Sequence, residues 1–288
     1  MNRCLVFLCA LFCAFITVSS AVAEPLELVR FTLDSSRNDG KLRGSFHTEN
    51  RGRSTNNWST GLMPSELIGL DVAGFRASGT RPVGFAVVRD AGRLDCTGRG
   101  GSGHASGDCR FNPDASFNQM LAARGIGRPS REQSYALMAI GARRELIDAV
   151  AAAGYPAPSI DNLIALAALG VDARYIRDLA RVGFRPRTIS SLVEFKALGI
   201  TPDWIAGFTR IGYADASPGD LVQMKALGIT PDFVAGFESL GYGRLPVTTL
   251  VQFKALNITP GFVRSAVGRR STRPTIDELV HLRLFGRR

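Results

Sequence analysis

LVEFKALGITPDWIAGFTRIGY, residues 192–213, and LVQMKALGITPDFVAGFESLGY, residues 221–242, are one phrase written twice at a spacing of 29 residues. In the first copy Leu192, Phe195 and Leu198, with Val193 and Ala197 beside them, mark one face of a helix. Gly199 closes that helix, because helices commonly end on a left-handed residue that Gly, or sometimes Asn, adopts cheaply. Thr201-Pro202 opens a second helix. The Thr hydroxyl accepts from first-turn amides, and Pro has no amide to lose there. Asp203 then meets the positive helix start, and Gly212 ends the element. The phrase encodes a helical hairpin.

The period extends in both directions. Leu163, Leu192, Leu221, Leu250 and Leu279 repeat at 29 residues, as do Gly141, Gly170, Gly199, Gly228 and Gly286, with Asn257 in the remaining slot. Gly125, Gly154, Gly183, Gly212 and Gly241 form a second glycine column. Ser130, Ser159, Thr188, Ser217 and Thr275 form a capping column, and Ser130–Gln133, Ser217–Asp220 and Thr275–Glu278 have capping-box spacing. Pro246 breaks that column, with Thr248 as the expected substitute. Such a period marks a stacked array whose stability comes from interfaces between units. Residues 113–288 are therefore expected to form an α-solenoid of short helical hairpins, starting with the half-unit Asp114 to Gly125 and including an imperfect second helix, Pro260 to Gly268.

Residues 24–112 have another texture, alternating and rich in Gly, Ser, Asn and Thr. Leu26 to Leu33, Leu42 to Thr48, Val83 to Arg89, Arg93 to Thr97 and Gly107 to Phe111 read as strands, with a turn at Asn38-Asp39-Gly40 and a short helical turn over Pro64 to Leu70. The Gly-rich stretch Gly98 to Ser106 reads as a loop between the last two strands. Cys96 and Cys109 flank it symmetrically and are expected to form a disulfide, a metal pair being the weaker alternative. The fold class expected is α+β: a small disulfide-stapled antiparallel sheet or barrel of about five or six strands, capping the array.

Residues 1–23 read as a secretory signal: Asn2-Arg3, an apolar run from Cys4 to Val18, then Ala21-Val22-Ala23. A retained anchor is the competing possibility. Cys4, Cys9 and Cys13 lie in this leader. An exported bacterial protein, periplasmic or secreted, is expected, without an integral span after cleavage.

The chain carries 35 Lys+Arg against 25 Asp+Glu, a formal charge of +10. That excess favours an acidic protein, an anionic envelope polymer or nucleic acid as partner, or serves solubility alone. Lys196, Lys225, Lys254 and Arg283 share one column and form a candidate ladder for an anionic partner. A solvated face whose stems cover apolar neighbours is the plainer alternative, and earlier units place Met138 and Ala167 there. The aromatic column Tyr175, Trp204, Phe233 and Phe262 reads as core, and Tyr155, Phe184, Tyr213 and Tyr242 as hydrophobic closures of helix ends. Gly207 and Gly236, inside helices, point to close helix contact. His47, His104 and His281 have no metal-type spacing, and Asp90, near Asp95, belongs to a turn signal. No catalytic residue, cofactor or metal is expected, and a hydrolase is the least favoured class.

The repeat phrases resemble the C-terminal repeats of some bacterial membrane metallopeptidases of the beta-lactam-sensor type. They also resemble exported proteins of unknown function that join such repeats to a β domain, to which FAVVRDAGRLDCTG and GDCRFNP are similar. The resemblance implies a sensing or interaction module. Peptidase activity does not carry over, because His-Glu-x-x-His is missing from this chain. A weaker resemblance is to helix-hairpin-helix DNA-binding units, but the second Gly of their turn is Thr201 or Thr230 here. A non-enzymatic interaction or scaffold protein is the leading expectation, and a periplasmic nucleic-acid-binding module is the alternative.

Overall fold

The computed structural model describes residues 28–35, 40–48, 57–268 and 272–286. The expected leader and the Asn38-Asp39 part of the expected turn lie outside the described residues.

Alternation builds the first layer. Val29, Phe31 and Leu33 are buried while Arg30 between them is exposed, as a strand with one covered face requires. Strands β1 (Leu28–Ser35), β2 (Leu42–Thr48), β3 (Asn57–Leu62), β4 (Arg81–Arg89), β5 (Gly92–Gly101) and β6 (His104–Pro113) make one antiparallel sheet in the order β3-β2-β1-β6-β5-β4. β3 escapes the sequence reading because only Leu62 in it is buried. The helical turn expected over Pro64 to Leu70 shrinks to a 3-10 turn at Pro64–Glu66. A short helix, α1 (Val72–Arg76), follows it unanticipated, capped by Asp71. Between them Ile68 bridges Ala86 at the β4 edge.

The loop expected over Gly98 to Ser106 is not one. β5 continues to Gly101 and β6 resumes at His104. Only Ser102 and Gly103 turn the chain, at φ +55° and +79°, the pattern of a tight two-residue hairpin. The glycines serve curvature. Phe31 on β1 and Phe85 on β4 meet edge to face at 4.9 Å, although β6 and β5 lie between their strands. A flat sheet would hold those strands about 14 Å apart. Gly98 faces Gly107 within the bend. A Cβ on either would come within 2.2 Å of the neighbouring strand's backbone. Cys96 and Cys109 are opposed on the concave face with their sulfurs 2.01 Å apart, at disulfide distance.

Among the described residues twelve helices follow. α2 (Ala115–Ala123) is the half-unit, and α3 (Arg131–Ala139), α5 (Ile160–Ala168), α7 (Ile189–Ala197), α9 (Pro218–Ala226), α11 (Val247–Ala255) and α13 (Ile276–Phe285) are first helices. α4 (Arg144–Ala152), α6 (Ala173–Arg181), α8 (Pro202–Arg210), α10 (Pro231–Glu238) and α12 (Pro260–Val267) are second helices. Contacts run between like helices: α3 with α5, α5 with α7, α7 with α9 and α9 with α11, and likewise α4 with α6, α6 with α8 and α10 with α12.

The caps hold as read. Ser130, Ser159, Thr188, Ser217 and Thr275 each accept from the amide three residues on, and the three capping boxes form. Thr201, Thr230 and Thr259 cap second helices in the same way. Asn257 has φ +54° and takes the place of glycine in its column. Two expectations fail. Thr248 does not replace Pro246 as a cap, because it already lies inside α11, where a hydroxyl cannot precede the first turn. Gly286 is extended at φ −65° instead of left-handed, so it does not close α13 as the other glycines of its column close their helices.

One apolar core runs from Val29 in the sheet to Leu221 in α9, and a second runs from Phe208 to Leu279. Trp204 and Ala216 pack against both. Sheet and first units thus share a core across the boundary at residues 112–113. Among the described residues no helix is long and apolar enough to cross a membrane.

Candidate interaction surface

The cation column and the aromatic column meet. Lys196 lies 4.4 Å from the ring centroid of Tyr175, Lys225 5.2 Å from Trp204, and Lys254 4.9 Å from Phe233. The Arg283 guanidinium is 5.6 Å from Phe262. Each pair joins the end of a first helix to the second helix of the unit before it. The positive head faces the ring's negative quadrupole while the stem covers apolar surface. The ladder is therefore a set of rungs between units, with the three lysines half-buried. Neither column announces this alone, because the pairing depends on which helix abuts which.

A second row of clamps follows the helix-closing glycines. Tyr213 donates to Leu245 O at 2.6 Å and Tyr242 to Pro274 O at 2.8 Å, each reaching into the next unit. Arg244 and Arg273 stand over these rings at 4.8 and 5.0 Å. Burial raises the pKa of both phenols, and the neighbouring arginine partly opposes it. Tyr175, buried under Lys196, donates to Ile200 O at 2.7 Å. Its pKa is pushed up to about 12, first by burial and then by Tyr155. Gly207 and Gly236 complete the contacts: a Cβ there would lie 3.1 Å and 2.5 Å from Cγ of Pro231 and Pro260, the helix-opening prolines of the following units.

The sheet joins the array through the dipeptide Arg89-Asp90. Arg89 donates to Met138 O at 2.9 Å and to Ala139 O, carbonyls at the end of α3. Asp90 accepts from Arg144 N at 2.8 Å, at the start of α4, which has no side-chain cap of its own. A cation thus meets the negative end of one helix and a carboxylate the positive end of the next. Burial lowers the pKa of the Arg89 guanidinium. Trp58, stacked on Phe46, donates to Tyr135 Oη at 2.8 Å, and Arg131 donates to Phe111 O at 3.0 Å. Asp90 is thereby more than a turn residue.

One step between units has no rung. Leu146 and Ala167 stand where later units place the aromatic and the cation. An open cleft of about 520 Å³ lies there, lined by both residues and flanked by Arg143 and Arg174. At the preceding step Phe117 faces Met138 in the column, and Arg144 supplies the cation over Phe117 at 5.3 Å.

The histidines stay apart in the fold as well. His47 pairs with Asn57 at 2.9 Å, His104 with Asp34 at 2.7 Å, and His281 lies against Phe285. Among the described residues no group of three or more His, Cys, Asp or Glu side chains is placed to hold a metal. Asp114 has its pKa lowered by hydrogen bonds from Ser116 and the Phe117 amide, which mark it as the α2 cap. Compared with protein-family models, curated proteins and solved structures, the chain matches none.

Proposed function

We propose that this chain is an exported, non-enzymatic interaction protein of the bacterial envelope. A curled β domain caps an α-solenoid that presents its surface to an acidic protein or an anionic envelope polymer. The observation that carries the proposal is the use made of polar side chains. Rungs, clamps and caps join one unit to the next and the array to the sheet, so they serve the building of an extended surface. The resemblance to exported repeat proteins and metallopeptidase C-terminal repeats points the same way.

Because the lysine column is engaged with rings, the arginines around α6 are the better contacts for an anion. Arg174, Arg177, Arg185 and Arg187 are exposed and make no ion pair among the described residues, whereas Arg181 is paired with Asp178. In free solution such cations gain little from one another and much from a polyanion that crosses them. Retention on immobilised heparin and on double-stranded DNA, measured against salt, tests this. Heparin retention that drops when the four arginines become Gln, and changes little when Lys196, Lys225 and Lys254 do, is expected. No retention of the native chain on heparin at low salt would remove the anionic-partner reading. Stronger retention on DNA than on heparin, at equal salt, would favour the nucleic-acid alternative. Photo-crosslinking from the array surface in the envelope then identifies the partner.

A further inference from the structure

The missing rung is a vacancy in an otherwise regular pattern. At four consecutive steps a ring of one unit lies under a cation of the next: Tyr175 with Lys196, Trp204 with Lys225, Phe233 with Lys254 and Phe262 with Arg283. At the step between α4 and α5 both members are replaced together, by Leu146 and Ala167. Losing only one would leave a cation or a ring in poor surroundings; losing both leaves a cleft with an apolar floor. Leu146 and Val171 are buried in that floor, and Ala167 is half-buried.

The rim supplies what the floor lacks. Arg143 and Arg174 are exposed, and among the described residues neither makes an ion pair, a side-chain hydrogen bond or a ring contact. Elsewhere Arg89, Arg131, Arg144, Arg244, Arg273 and Arg283 each stand over a ring. The acidic residues at the rim are partly committed. Asp172 accepts from Tyr175 N as the α6 cap, and Glu145 sits in the first turn of α4, where the helix start favours a negative charge. An apolar floor, two unpartnered guanidinium groups and a nearly balanced rim suit an aromatic ring better than a long anion. Tyr, Trp and Phe give large contact at small entropic cost, and a guanidinium on the ring face adds to it.

Resting on the interaction-protein reading above, we propose that this cleft receives an aromatic side chain from an exposed segment of a protein partner. The partner's ring lies on Leu146 and Ala167, in the space that the cation fills at the other steps, with Arg143 and Arg174 beside it. The array thereby recognises its partner by borrowing from it the one rung it does not make for itself.

The test uses the full chain and two acetylated, amidated peptides, Asp-Gly-Trp-Gly-Asp and Asp-Gly-Leu-Gly-Asp, titrated to millimolar concentration with amide NMR as readout. The Trp peptide is expected to shift amides of residues 141–146 and 167–174, and the Leu peptide to bind about tenfold more weakly. Restoring the rung with Leu146→Tyr and Ala167→Lys should abolish those shifts while thermal stability is kept or raised. Ala167→Met, the residue the array itself carries at position 138, is the second variant should the double one fold poorly, and it should weaken binding by a similar factor. Equal affinity for the two peptides, no shift at these residues, or unchanged binding by the rung-restored chain or Ala167→Met would overturn the proposal. A partner crosslinked to the native chain and retained equally by the filled variants would sink the cleft and leave the wider reading standing. A chain that crosslinks to no protein sinks the wider reading instead.

Discussion

Gly236 sits within α10, where glycine costs about 1 kcal/mol against alanine in an open helix. Here that gain is out of reach, because a Cβ would lie 2.5 Å from Cγ and 3.0 Å from Cβ of Pro260. Overpacking of this kind costs about 1–3 kcal/mol, so Gly236→Ala should lower the melting temperature although helix propensity alone would raise it. The equivalent change at Gly207, with 3.1 Å to Pro231, should cost less. Tyr175 makes a pH-dependent contribution. Its folded pKa is raised from the usual phenol value of 10.0 to about 12, so the unfolded chain holds fewer protons in between. Stability from this group is then complete below about pH 10 and is lost as pH rises through the folded value, by roughly 2–3 kcal/mol. Tyr175→Phe should flatten that part of a denaturation profile taken from pH 9 to pH 12, after its constant loss of the bond to Ile200 O is subtracted.

At the scale of elements, caps and glycine closures were legible because they are local. Ser217 with Asp220, or Asn257 in a glycine column, state their geometry within a few residues. Three features were hidden because their causes are tertiary. Gly98 looks like part of a loop until the curl that brings Phe31 to Phe85, and sets it opposite Gly107, is seen. Asp90 looks like a turn residue because the amide it caps lies 54 positions away. Lys225 looks like a free surface charge because its ring, Trp204, belongs to the preceding unit. That rung has its own check. In a double-mutant cycle of Lys225→Gln and Trp204→Leu, a coupling of about 0.5–1 kcal/mol is expected, as for a partly exposed cation–π pair. Additive effects would mean that the column is only a solvated face. The rung-free step at Leu146 and Ala167 could be seen in the columns only once their pairing was known.

At the scale of the whole molecule, the sheet is a cap in the physical sense. It covers the first unit's apolar face, brings a cation to the carbonyl end of α3 and caps α4, which has no side-chain cap of its own. Asp90→Ala removes the only side-chain acceptor found at the α4 start among the described residues and should cost about 1 kcal/mol. In hydrogen exchange, the resulting loss of protection should be concentrated in α3 and α4 and fade along the array, as expected when each unit is held mainly by its neighbours. Everything proposed for the surface depends on successive hairpins stacking so that matching positions form lines. Spin labels at Glu194, Gln223, Gln252 and His281, one per first helix from α7 to α13, measure this in a chain with Cys4, Cys9 and Cys13 changed to serine. Helices in contact lie about 8–10 Å apart, so distances from position 194 should grow with each unit, to roughly 10, 20 and 30 Å. Distances from 194 to 252 and to 281 no longer than that from 194 to 223 would contradict the stack, and the surface with it.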